Sequence, residues 1–128
     1  MNLLLDTHLI LWAAGDPSRL SGEASALLLE PANTLYYSAA SLWEVAIKRS
    51  LGRPDFQADP RRLWRLLPLN GYRELPVTGE HAIAVETLPR LHKDPFDRLL
   101  FAQARLEGMV LLSNDGRLAE YGEPVRLV

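Results

Sequence analysis

Cysteine is absent from this chain of 128 residues. That excludes disulfides and thiolate zinc sites, and it fits a reducing compartment. Lysine is nearly absent: Lys48 and Lys93 are the only two, and every other cationic side chain is arginine. Arginine suits bidentate phosphate or carboxylate binding, although biased codon usage gives the same skew and is the preferred explanation here. Charge of one sign does not dominate. Fourteen basic against sixteen acidic residues leave a net charge of −2 and no global pull toward nucleic acid. Repeats, low-complexity segments, linkers and glycine-rich phosphate loops are also missing. The opening aliphatic run "NLLL" is too short to cross a bilayer and ends on Asp6, so neither a signal peptide nor a transmembrane helix is expected.

What is present is a sizeable apolar fraction, 48%, enough for a core and too much for intrinsic disorder. The length suits one domain, residues 1–128. "NLLL" reads as a buried strand, followed by a helix from "LILWAAG" into a Gly-Asp-Pro turn. "SGEASALLLE" reads as a helix capped by Ser21, with Pro31 beyond its end, and "NTLYYS" as a strand. "SLWEVAIKRSLG" is expected to be a helix with Ser41 as N-cap and Gly52 past its end. "DPRRLWRLLPL" is expected to start at Pro60, and "TGEHAIAVETLP" to run as one helix up to Pro89. "DPFDRLLFAQARLEG" has Asp94 as cap, Pro95 at its first position and Gly108 as its stop. "YRELPV", "MVLLS" and "PVRLV" complete the strands. Short, continuously apolar strands alternating with helices predict an α/β fold with a mainly parallel sheet of about five strands covered on both faces.

In such sheets ligands gather at the carboxyl ends of the strands. Asp6 follows the first strand and Asp115 a late one, in "LLSND". Glu44 lies on the helix after "LYYS", and Asp94 and Asp97 open the helix before "MVLLS". Carboxylates gathered at one edge repel one another, and a divalent cation with oxygen ligands, Mg²⁺ or Mn²⁺, relieves that repulsion. Each acid also has a plain structural role. Asp6 and Asp94 are good helix caps, and Asp97 suits a helix dipole. Glu44 is placed to complete a capping box with Ser41 or to pair with Lys48, and Asp115 suits an Asn-Asp-Gly turn. Thr7 and Ser113 carry hydroxyls that either orient a carboxylate or a water, or cap a helix. His8, His81 and His92 lack metal-ligand spacing. "RRLWR" at 61–65 reads as the solvated face of an amphipathic helix in preference to an RNA-facing or dimer surface.

Four segments in order, "LLLDTH", "SAASLWEVAIK", "HKDPFDRLLFAQA" and "LLSND", resemble the PIN-domain ribonucleases, and within them the VapC-type toxins of toxin–antitoxin pairs. The resemblance covers essentially the whole chain. It implies a three-layer α/β/α sandwich and a metal-dependent endoribonuclease that cleaves RNA phosphodiester bonds with a metal-activated water. Asp6, Glu44, Asp97 and Asp115 would be the catalytic and metal-binding acids, with Asp94, Thr7 and Ser113 in support. It also implies Mg²⁺ or Mn²⁺ as cofactor, a VapB-type antitoxin as partner, homodimerisation and a cytoplasmic location. An anionic cleft would admit an antitoxin arginine, with Trp12 and Trp43 as a candidate apolar docking surface or, equally, as core. Phosphotransfer receivers and haloacid-dehalogenase-like phosphatases fit less well, since Thr7 and His8 stand where each would need an acid. The alternative from another class is a catalytically silent PIN-fold module that only binds RNA or protein.

Overall fold

Leu3, Leu4 and Leu5 are all fully buried in the computed structural model, which describes residues 1–128. Successive strand side chains point to opposite faces, so three in a row can be buried only if both faces are covered. The strand they form, β1 (Asn2–Leu5), is the centre of a five-stranded sheet. Its companions are β2 (Thr34–Ser38), β3 (Arg73–Leu75), β4 (Val110–Ser113) and β5 (Val125–Leu127). The order is β3-β2-β1-β4-β5, and every pairing is parallel. Leu4 stands beside Tyr36 on one side and Leu111 on the other, which fixes the register of the three central strands.

Helices cover both faces. Leu3, Leu5, Tyr37 and Leu112 face α1 (Thr7–Gly15), α3 (Ala39–Ser50) and α4 (Pro60–Leu69), with the leucines of α2 (Gly22–Leu29) closing the edge. Leu4 and Leu111 face α6 (Pro95–Glu107) through Leu100, Phe101 and Ala104, and α7 (Gly116–Ala119) through Leu118. A short α5 (Gly79–Ala84) packs against α6. This is the expected three-layer sandwich. Each fully buried leucine contributes about 1.5–3 kcal/mol, so the paired apolar faces of β1 and β4 anchor the strands that end at the site. No helix is long and apolar enough to cross a membrane.

Most element ends fall where the sequence places them. Ser21 accepts a hydrogen bond from the Ala24 amide as N-cap of α2. Asp94 caps α6, Pro95 is its first residue, and Gly108 ends it at φ +67°. Gly52 follows α3 at φ +70°. Three expectations are corrected. The N-cap of α3 is Ser38, not Ser41: the strand passes directly into the helix, and the Ser38 hydroxyl accepts from the Ala40 amide. Ser41 is therefore inside the helix and buried, and no capping box forms with Glu44. The helix expected up to Pro89 is α-helical only through Ala84 and tightens to a 3₁₀ turn over Val85–Thr87. The Asn-Asp-Gly stretch, expected to be a turn, starts the short helix α7.

A neutral polar network ties the layers together near the site. Gln103, fully buried on α6, accepts a hydrogen bond from the Ser38 hydroxyl at 2.6 Å. Its amide donates to the Pro76 carbonyl at 3.3 Å and lies 3.4 Å from His81 Nδ1. His81 Nδ1 accepts from the Thr78 amide, so its proton is on Nε2, 2.9 Å from Glu107. No buried side-chain nitrogen or oxygen lacks a partner.

Candidate active site

Asp6 begins where β1 ends. Its amide continues the ladder to the Leu112 carbonyl, and its Oδ1 accepts from the Leu9 amide as N-cap of α1. The cap and the candidate site acid are therefore the same residue. Its other oxygen, Oδ2, accepts from the Ser113 hydroxyl at the end of β4. Asp6 is 3% exposed. Burial pushes its carboxyl above the usual carboxylate range, against the opposing pull of the Ser113 and Leu9 hydrogen bonds.

The sheet order places this residue at a topological switch point. From β1 the chain moves outward through β2 and β3 on one side, then crosses to β4 and β5 on the other. The loops leaving β1 and β4 thus diverge and leave a crevice at their carboxyl ends. A cleft of about 640 Å³ opens there, lined by Glu44, His92, Asp94, Asp97 and Asp115 among others. Asp6 lies in the wall behind it.

α3 and α6 bring two further acids to this cleft. Glu44, inside α3, is buried: Oε1 accepts from the Thr7 hydroxyl at 2.7 Å and Oε2 pairs with Lys48 Nζ at 2.7 Å. Thr7 Oγ1 also lies 3.0 Å from Ser41 Oγ, which is why Ser41 is buried and not a cap. Asp97 sits in the first turn of α6, the turn that Asp94 caps. Its Oδ2 lies 2.7 Å from His92 Nε2, within hydrogen-bond distance. Burial first, and the charges of Asp94 and Asp6 after it, raise the Asp97 carboxyl to about 6, with the His92 hydrogen bond acting the other way.

Asp115 caps α7 through the Arg117 amide, and its own amide donates to Ser113 Oγ at 3.0 Å. Its Oδ2 is 3.6 Å from His92 Nε2. One ligand atom from each of His92, Asp97 and Asp115 lies within 4.8 Å of the other two, close enough to share one ion. Asp6 and Glu44 are not members of that trio. Asp6 bears on it through its charge, and Glu44 is held back on Thr7 and Lys48.

His92 is the residue that reading the sequence misses. It lies five positions before Asp97, with the helix start between them, so no helical or strand spacing links the two. The loop carrying it is shaped by tertiary bonds: Tyr121 Oη accepts from the His92 amide and donates to the Pro89 carbonyl. The available signal is its place in "HKDPFDR", just ahead of the acid-capped helix that enters the cleft. His81 belongs to the neutral network, and His8 is exposed on the cleft rim. Of the tryptophans proposed for docking, Trp43 is 60% exposed with its ring edge-on to Phe96, and Trp12 is half-buried beneath the Arg19 guanidinium.

The donor set suits a hard divalent cation. It is dominated by carboxylate oxygens, contains one imidazole and no sulfur, and holds an acid pushed toward neutrality chiefly by burial and further by the charges of Asp94 and Asp6.

Comparison with known proteins agrees with this fold. A family model described as "PIN domain" matches residues 3–124. Ribonuclease VapC22 of Mycobacterium tuberculosis is 32% identical over 123 residues, covering 95% of this chain and 93% of that protein. Among solved structures, VapBC2 from Rickettsia felis bound to a promoter DNA fragment superposes with a TM-score of 0.71 at 17% identity, over 100% of this chain and 98% of that one. VapBC-1 from nontypeable Haemophilus influenzae gives 0.64 at 18% identity, over 100% and 97%. At these identities the structural likeness is one of fold. The sequence match, in contrast, runs through all the elements that line the cleft, from α1 to α7, and the chain belongs to the PIN domain family, among its VapC-type members.

Proposed function

We propose that the chain is an Mg²⁺- or Mn²⁺-dependent endoribonuclease and acts as the toxin of a toxin–antitoxin pair. The observation that carries the chemistry is the convergence of Asp97, Asp115 and His92 within 4.8 Å, at a strand switch point and in front of buried Asp6. The name of the curated relative, a ribonuclease, supports RNA as the substrate. The VapBC complexes among the fold neighbours support a VapB-type antitoxin as partner.

Asp97, Asp115 and His92 would hold the ion, with Asp6 and Glu44 contributing directly or through water. A bound divalent cation supplies Lewis acidity toward a phosphoryl oxygen and an attacking water. The protein's own residues supply orientation and charge. Ser113 fixes one oxygen of Asp6 and, through the Asp115 amide, the start of α7. Thr7 and Lys48 fix the two oxygens of Glu44. Asp94 holds the first turn of α6 through the Phe96 and Asp97 amides and so fixes the backbone from which Asp97 projects. With the cleft neutralised, an RNA phosphodiester can approach carboxylates that would otherwise repel it.

The test is cleavage of total RNA by the purified protein. Activity should vanish in chelator and return with Mn²⁺ or Mg²⁺, and Ca²⁺ should support little turnover because its coordination is looser and larger. Chelator-resistant cleavage would remove the metal from the mechanism. Tight RNA binding with no cleavage under any divalent ion would favour a silent binding module instead.

A further inference from the structure

Beside the acidic cleft lies a second concavity of opposite character, about 380 Å³ in volume and lined by Arg90, His92, Lys93 and Arg98 alone. Its lining contains no carboxylate and no apolar side chain. His92 and Lys93 line both concavities, so the two share a wall. None of Arg90, Lys93 and Arg98 forms an ion pair, although the chain as a whole carries net negative charge.

Arg98 explains how the cations stay together. Its guanidinium is spent on neutral acceptors: the Val85 carbonyl at 3.2 Å, the Pro89 carbonyl at 3.0 Å and Tyr121 Oη at 3.1 Å. These bonds brace the 85–92 segment while leaving the positive charge uncompensated. Arg90 and Lys93 are exposed and make no side-chain hydrogen bond within the chain, so their donors are free. Like charges held close by a braced loop, without a counterion from the protein, form a site for an external anion.

We infer that this concavity seats a backbone phosphate of the RNA strand, adjacent to the phosphodiester that lies over Asp97 and Asp115. The inference rests on the reading of the chain as a ribonuclease. It assigns Arg90 and Lys93 to substrate binding and Arg98 to shaping the loop that presents them. A single strand laid across the shared His92 wall would meet cations on one side and the ion-holding acids on the other.

The experiment compares wild type, an Arg90→Gln/Lys93→Gln double variant, and an Arg61→Gln/Arg62→Gln/Arg65→Gln variant of α4. The α4 arginines are equally exposed cations on another element. Binding of a fluorescein-labelled oligoribonucleotide is followed by anisotropy in chelator across a salt series, and Mn²⁺-dependent cleavage is measured separately. Each phosphate of a single strand that the protein ceases to neutralise lowers the slope of log K against log salt by about 0.7, so the double variant, which gives up one such phosphate, should fall by about 0.7. The α4 variant should match wild type. An unchanged slope in the double variant, or a reduced slope in the α4 variant, overturns the assignment. Cleavage by wild type with no slope difference defeats this inference alone. A slope difference without any cleavage retains the phosphate site and defeats the ribonuclease reading.

Discussion

Two polar clusters lie at the same edge of this sheet, and they are built in opposite ways. Ser38, Gln103 and His81 form a neutral network in which each donor meets an acceptor, ending on the half-exposed Glu107. Asp6, Glu44, Asp97 and Asp115 form an anionic cluster in which hydroxyls, Lys48 and His92 offset only part of the charge. The same two helices serve both: α3 carries Ser38 at its cap and Glu44 inside, and α6 carries Asp97 at its start and Gln103 further along. A closed neutral network rigidifies at little electrostatic cost. An open anionic one costs stability and retains a capacity to bind cations. The contrast separates groups that hold the frame from groups the frame holds in place.

Substitutions that remove charge should break this contrast most sharply. Asp6→Asn and Asp97→Asn keep shape, and Asn remains a good N-cap at position 6. Each is expected to lower Mn²⁺-dependent RNA cleavage by about 10²-fold or more, equivalent to about 3 kcal/mol of transition-state stabilisation. Thermal stability in chelator should hold or rise, since burial already disfavours the ionised acids. Cleavage at the wild-type rate by Asp6→Asn would take it out of the site. A large fall in melting temperature would make it a frame residue like Gln103.

Gln103→Met should give the reverse pattern. It removes the acceptor of the Ser38 hydroxyl and the donor to the Pro76 carbonyl, leaving buried groups unsatisfied at a cost of about 1–3 kcal/mol. Denaturant unfolding should show the loss, with cleavage falling only as the folded fraction falls. A variant of wild-type stability with strongly reduced cleavage would mean that the two clusters are not separable.

The outline of this architecture is legible in the sequence because its signals are local. "NLLL" ending on Asp6 marks a buried strand with its acid at the active edge. Asp94, Pro95 and Gly108 bracket α6 through capping chemistry that needs no tertiary partner. The errors occur where tertiary structure decides. Ser38 and Ser41 are both reasonable caps, and only the direct passage from β2 into α3 makes Ser38 the cap and sends Ser41 inward to Thr7. Glu44 satisfies a capping-box spacing and an i,i+4 pair alike, and the structure uses the second. His92 reaches Asp97 through a loop whose path depends on Arg98 and Tyr121, so spacing cannot reveal it. Cap and candidate site acid coincide in placement at two positions: Asp6 caps α1 behind the cleft, and Asp115, expected in a turn, caps α7 on the cleft lining.

The smallest expected effect is one of pH, and it sharpens the comparison by isolating the cost of the anionic cluster. The Asp97 carboxyl is raised from 3.8 to about 6, chiefly by burial. Between those values the folded chain binds more proton than the unfolded chain. The contribution of Asp97 to stability is therefore greatest below the window and declines as pH rises through it. His92 Nε2 faces the carboxylate and opposes the rise without cancelling it. With the partial exposure of Asp97 discounted, the decline is about 1 kcal/mol between pH 5 and pH 7.5. Calorimetry in chelator should show it as a melting-temperature difference of a few degrees. The Asp6 carboxyl is raised by burial as well, so the informative quantity is the difference between wild type and Asp97→Asn, which should be the less pH-sensitive of the two. Gln103→Met, which leaves Asp97 and its His92 contact in place, should retain the wild-type pH dependence at lower overall stability. Saturating Mn²⁺ should stabilise wild type more at pH 7.5 than at pH 5, because the ion competes with the proton for the same oxygens. Equal Mn²⁺ stabilisation at both pH values, or an Asp97→Asn variant with undiminished pH sensitivity, would show that the raised acid is not where the cation binds.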